Sequence, residues 1–179
     1  VNMIRHLENL RKFGVNPVVA INVFEQDTDK EIQAVREIAE ASGAMGVAVA
    51  RHWAEGGKGA TELAEMVVSA CDAPNDFQLL YPDDMSIKDK IETIAREIYR
   101  ADGVIYEPTA TRKIQQYEAQ GLRELPICMA KTHLSLSDNP KLKGAPDGFN
   151  ITITDIRASA GAGFIYPLCG DVRTMPGLG

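Results

Sequence analysis

With 179 residues, 45% of them hydrophobic, and a formal net charge of -6, the chain is long enough to bury a core and reads as one soluble, globular domain or one and a half. The acidic balance, without clustered Lys and Arg, argues against nucleic acid as the main partner, because phosphate contacts need cationic patches that release counterions. The apolar runs are strand-sized, so neither a membrane span nor a leader is expected. Cys71, Cys128 and Cys169 lie too far apart for a zinc site.

The cysteines read as reduced, mostly buried thiols of a cytosolic protein. No Met opens the chain, and its first residues already carry a helical pattern, Ile4, Leu7 and Leu10. A portion of a longer protein is therefore expected.

Residues 2–13 form the first predicted helix, ended by Gly14. The nearly continuous apolar run 17–23 predicts a parallel strand covered on both faces. A helix over 28–42 follows, with Thr28 and Glu31 as a capping box, Ile32, Val35, Ile38 and Ala39 inward, and Gly43 as the stop. Residues 45–50 give the next buried strand, and Ala60, Leu63, Ala64, Val67 and Cys71 the inner face of another helix.

This alternation is the pattern of a doubly wound, mostly parallel α/β sheet. Because its crossovers are right-handed, the loops after both strands open on one edge, where such sheets bind ligands. Phe24 and Trp53, the single tryptophan, occupy those two exits. They are expected either to sandwich a flat heterocycle or to cap the core edge.

The composition shift at Ala73-Pro74-Asn75-Asp76 divides the chain into 1–73, part of an α/β domain, and 74–179, a smaller α/β unit that is loop-rich after 131. In the second part Ser86 caps a helix carrying Ile87, Ile91, Ile94, Ala95 and Ile98. A strand over 103–106, a helix over 108–120 with Pro at its first turn, and a strand over 126–130 come next. The alternating run 149–156 predicts a strand exposed on one face, and 164–168 a further apolar segment.

Several polar constellations admit two readings each. Gly56-Gly57-Lys58-Gly59-Ala60-Thr61 resembles a phosphate loop but fails its pattern, since His52 and Gly59 stand where Gly and Ser or Thr are required. It reads as an anion-friendly helix start or a flexible turn. His52 reads as a general base or a hydrogen-bonded loop residue, and His6 and His133 are weaker candidates. Asp83-Asp84, and Asp155 with Arg157, read as metal or ion-pair features or as a solvated face. The small residues Ser159-Ala160-Gly161-Ala162-Gly163 would let the backbone approach a ligand or another strand closely.

Longer motifs carry a family resemblance. Leu10-Arg11-Lys12-Phe13-Gly14, 19–24 (Val-Ala-Ile-Asn-Val-Phe), His52-Trp53-Ala54-Glu55-Gly56-Gly57, 125–132 (Leu-Pro-Ile-Cys-Met-Ala-Lys-Thr), Leu134-Ser135-Leu136-Ser137-Asp138, 155–168 and Thr174-Met175-Pro176-Gly177-Leu178 resemble, in order, motifs of formate–tetrahydrofolate ligase. The resemblance covers essentially the whole chain and is to the C-terminal portion of that family, without its upstream phosphate loop.

It implies an ATP-dependent reaction in which formate is phosphorylated to formyl phosphate and the formyl group passes to the amine of tetrahydrofolate. ATP with magnesium, tetrahydrofolate as substrate, a monovalent cation, a cytoplasmic location and assembly as a homo-oligomer belong to the same implication. By motif, Phe24 and Trp53 match the aromatic pair that brackets bound ligand, which implies stacking on a pterin or an adenine face. Lys131, Thr132, Ser159 and Gly161 are weaker binding candidates; no catalytic residue and no metal ligand is expected within this chain, and the fragment alone is expected to be inactive. A non-catalytic binding or assembly module that has lost the phosphate loop is the alternative.

Overall fold

The structure is a computed structural model that describes residues 1–170. The Thr174–Leu178 motif lies outside the described residues. The chain forms an α/β arrangement in two compact units, Val1–Leu79 and the remainder from Leu80.

In the first unit, helix α1 (Asn2–Lys12) ends at Phe13, and Gly14 follows with φ of +69°. A side chain there is excluded twice over. The positive φ disfavours any L residue, and a Cβ would lie 1.8 Å from the Asp76 carbonyl oxygen. Gly14 O accepts the Asp76 N–H and Phe13 O the Gln78 N–H, each at 3.1 Å. These bonds tie residues 74–79, placed by composition in the second part, to the first unit.

Strands β1 (Val18–Asn22) and β2 (Gly46–Ala50) are parallel and in register from Val18 beside Gly46 to Asn22 beside Ala50. Helix α2 (Asp29–Ala41) connects them, and its Thr28–Glu31 capping box is formed in both directions. β1 is not covered on both faces: Ala20 and Asn22 are exposed. The face of α2 is narrower than its sequence pattern predicts, with Ala39 buried but Val35 36% and Ile38 47% exposed. A two-stranded sheet offers apolar cover to a single line of an overlying helix, and Ala39 holds that line.

After β2 the chain makes one helical turn, α3 (His52–Glu55), a 3-10 segment over Gly56–Ala60, and helix α4 (Thr61–Asp72). Here too the buried stripe is corrected. Leu63, Met66 and Ala70 turn inward, while Ala64, Val67 and Cys71 are exposed. Met66 wins because Gly46 on β2 leaves it room: a Cβ at Gly46 would stand 2.3 Å from the Met66 sulfur.

In the second unit, α5 (Ile87–Glu97) begins at Ser86, whose hydroxyl accepts the Asp89 N–H. Strand β3 (Gly103–Tyr106) leads into α6 (Pro108–Ala119), which has Pro in its first turn. Strands β4 (Asn150–Ser159) and β5 (Phe164–Cys169) complete a sheet in the order β3-β4-β5, the first pair parallel and the second antiparallel. Residues 126–130 add a parallel edge beside β5, with Ile127 opposite Ile165 and Ala130 opposite Leu168.

A register shift between Ile153 and Asp155 explains why the buried residues of β4 run Ile151, Ile153, then Ile156: a bulge inserts one residue and restores the inward face. These isoleucines pack with Ile87, Ile91, Ala95, Ile114 and Ile165 as the core of this unit. No helix among the described residues is long and apolar enough to cross a membrane.

Candidate functional site

The two strand exits of the first unit bring Phe24 and Trp53 together. Because Asn22 and Ala50 are register partners, a residue two positions past one strand and three past the other emerge side by side. The ring centroids are 6.2 Å apart and the planes are inclined at 59°. Both rings are open to solvent, Phe24 at 40% and Trp53 at 65% exposure. Neither is a buried plug over the core.

The tilt matters for what the pair can hold. Two rings enclosing a stacked heterocycle stand parallel at roughly 7 Å, two stacking distances. The observed arrangement has nearly that separation without the parallelism. It presents one free aromatic face beside a second ring.

Trp53 does not sit in an open loop. It rides the single turn α3, where Ala54 and Glu55 donate their N–H groups to Arg51 O, and Arg51 N–H donates to Gly59 O at 2.8 Å. The glycine-rich run therefore folds back on the strand exit as 3-10 helix. The adjacent cleft, about 270 Å³, is lined by Arg51, Glu55, Lys58 and Glu62 with Val49 and Gly59. Two carboxylates against two cations leave no net positive charge there, so the residues present do not fit a polyphosphate. His52 is exposed in the same turn.

The weaker candidates lie in the second unit, and three of them, Lys131, Thr132 and Ser159, are engaged in internal hydrogen bonds. Lys131 Nζ donates to Thr132 O at 2.9 Å and also to Ser135 O, and it stands 4.9 Å from the centre of the Tyr99 ring. Burial lowers its pKa, against the pull of Cys169 and Asp138. Thr132 Oγ1 accepts the Leu134 N–H. Ser159 O accepts the N–H groups of Ala162 and Gly163 in the β4–β5 turn, and Gly161 is exposed with open space around it.

These four residues form no single site. Lys131 follows the Leu168 end of β5 and Ser159 the Phe164 end. At the usual rise per residue the two ends are about 15 Å apart.

Asp155 proves to be an ion-pair residue, and its main partner escaped the sequence pattern. Lys113 of α6 reaches both carboxylate oxygens, at 2.6 and 2.8 Å, whereas Arg157 Nε lies 3.7 Å away. Burial pushes the Asp155 pKa up, but the Lys113 hydrogen bond, the Ile156 N–H and the two cations outweigh it, leaving the carboxyl below its ordinary value. Lys90 was likewise missed as a polar core residue. It is fully buried and donates to Arg123 O at 2.7 Å and Leu125 O at 3.2 Å. Among the described residues no group of three or more His, Cys, Asp or Glu could hold a metal ion. Of the cysteines only Cys169 is buried; Cys71 and Cys128 are exposed, contrary to expectation.

A profile of the formate–tetrahydrofolate ligase family matches residues 1–179. The chain belongs to the formate–tetrahydrofolate ligase family. Proteins of that name from Saccharopolyspora erythraea and Desulforamulus reducens are 55% and 57% identical over 178 residues, 99% of this chain and 31% of theirs. A mouse protein named cytoplasmic C-1-tetrahydrofolate synthase is 54% identical over 177 residues, 99% of this chain and 19% of its own length. The chain thus spans about a third or less of the length of the ligase-family relatives it matches.

Proposed function

We propose that this chain is part of a ligase that forms 10-formyltetrahydrofolate from formate, ATP and tetrahydrofolate, and that Phe24 and Trp53 are its folate-stacking wall. The observation that carries the reading is the solvent-open aromatic pair at the ligand edge of a parallel sheet, within a chain of this family. A pterin is flat, polarisable and ringed with polar edges. It gains from burial against aromatic faces while its edges stay available for hydrogen bonds.

In this reading ATP with magnesium supplies the phosphoryl group that converts formate to formyl phosphate, and the folate amine then takes the formyl group and releases phosphate. The described residues hold and orient the folate ring; Phe24 and Trp53 exclude water from its faces. The neutral cleft beside Lys58 points to phosphoryl chemistry elsewhere in the longer polypeptide. The 179-residue chain alone is accordingly inactive. A cytoplasmic location fits the name of the mouse relative, and a homo-oligomer and a monovalent cation belong to the same family reading.

The test is kinetic. In the full-length ligase, Trp53→Ala raises the tetrahydrofolate KM by at least about tenfold, the loss of one aromatic stacking face, and leaves the KM values for formate and ATP near wild type. Unchanged tetrahydrofolate kinetics would defeat the assignment.

A further inference from the structure

The Phe24 ring hangs on a turn after β1, and one side chain closes that turn. Asp27 Oδ2 accepts the Phe24 backbone N–H at 2.8 Å, while the Asp27 N–H donates to Phe24 O at 3.1 Å. The two bonds make a closed ring over residues 24–27. They limit the backbone angles of Phe24 and so the direction of its Cα–Cβ bond. On the far side of the turn, Thr28 is fixed as the N-cap of α2.

The other jaw is fastened differently. Trp53 is held by main-chain bonds alone, from Ala54 and Glu55 to Arg51 and from Arg51 to Gly59. One ring is thus set by main-chain bonds, and the other by one main-chain bond together with a single exposed carboxylate. The second fastening is the one that a side-chain substitution can remove without rebuilding the strand exit.

We propose that Asp27 is a positioning residue for the folate wall: its carboxylate holds the Phe24 turn so that the Phe24 ring faces Trp53. The ligand in this statement rests on the stacking reading above; the ring geometry does not. The competing role is structural. Asp27 immediately precedes the N-cap of α2, where a negative charge favours the helix dipole. Asparagine separates the two, because it keeps an acceptor oxygen for the Phe24 N–H and gives up the charge. Glutamate makes the opposite exchange, keeping the charge and moving the acceptor by one methylene.

The chain has one tryptophan, so its indole N–H gives one NMR signal, and an aromatic ring 6.2 Å away shifts it. In the 179-residue chain, Asp27→Ala and Asp27→Glu are expected to move that signal toward its position in Phe24→Ala, while Asp27→Asn stays near wild type. In the full-length ligase, Asp27→Ala raises the tetrahydrofolate KM about three- to tenfold with kcat little changed, and Asp27→Asn stays within about twofold.

An indole signal that does not move in Asp27→Ala and Asp27→Glu overturns the proposal whatever the kinetics show. So does a Trp53→Ala enzyme with raised KM beside an Asp27→Ala enzyme with wild-type KM. If Trp53→Ala itself leaves the KM unchanged, the folate reading fails, and a shifted indole signal still upholds the hold of Asp27 on the ring. Where Asp27→Ala loosens α2, Asp27→Glu carries the test, since a purely structural charge predicts no shift there.

Discussion

Gly59 lies against the backbone of Arg51 so closely that a Cβ on it would stand 2.5 Å from the Arg51 carbonyl carbon and 2.6 Å from its oxygen. These are main-chain atoms at the exit of β2, and they cannot rotate away as a side chain would. Gly59→Ala must therefore displace α3 and the Trp53 ring with it. The expected outcome is a stability loss of about 1–3 kcal/mol, the usual cost of overpacking, together with a raised tetrahydrofolate KM in the full-length ligase. Gly57→Ala is the matched control, because nothing lies within 4 Å of its added carbon. Equal KM values for the two variants would show that the return of the glycine-rich run does not set the tryptophan.

The Lys113–Asp155 pair gives a pH signature. Asp155 holds its proton less tightly folded than unfolded, so its contribution is present above the unfolded carboxyl pKa of roughly 4 and is lost as pH falls through the lower folded value. Both side chains are partly exposed, at 32% and 23%, so solvent screening keeps the pair to about 1 kcal/mol. Lys113→Met should lower urea stability at pH 7 by that amount. The gap to wild type should narrow as pH falls through the lowered Asp155 value and close once that carboxyl is protonated. A gap that does not narrow with falling pH would assign the loss to packing of the lysine stem instead.

Local chemistry was legible in the sequence where the partner lies within a few residues. The Thr28–Glu31 box, the Ser86 cap and Pro108 at the start of α6 all depend on short-range hydrogen bonds or fixed φ, and each is realised. The strand exits of Phe24 and Trp53 were legible for a related reason, since parallel pairing of two apolar runs leaves little choice of edge. Faces of helices were not. α4 carries apolar residues on two adjacent stripes, and Gly46, on another element, decides in favour of Met66. The lysines escaped because a flexible four-carbon stem reaches partners that sequence spacing does not encode. Lys90 ends on Arg123 and Leu125 carbonyls, Lys113 on Asp155, and Lys131 on the turn that follows it.

Lys90 can be tested by keeping its volume and removing its donors. Its ammonium serves two carbonyls from within the fold and stands 5.9 Å from the centre of the Tyr81 ring, whose hydroxyl in turn accepts the Ile127 N–H at 3.0 Å. Lys90→Met leaves Arg123 O and Leu125 O without their donor. The expected cost is about 1–3 kcal/mol, with faster amide hydrogen exchange in residues 123–130 than in β3 and β4. Uniformly faster exchange across the second unit would mean that Lys90 supports the whole core and not the 123–130 segment.

Cys169 separates burial from reactivity. Its thiol is fully buried, and burial pushes its pKa up to about 12 against the opposing pull of Lys131. Thiolate is the reactive form, so at pH 8 a thiol-specific disulfide reagent should label Cys71 and Cys128 of the native 179-residue chain and spare Cys169 until the chain unfolds. The same shift links to stability with a definite sign. A thiol whose folded pKa is raised contributes fully below its unfolded pKa, roughly 8.5. Across the window from there to about 12, the unfolded chain loses the proton that the native chain keeps, and stability falls as pH rises. Cys169→Ala should flatten that alkaline slope. Rapid labelling of all three thiols in the native chain would show that β5 opens to solvent locally, and the alkaline slope would then be independent of Cys169.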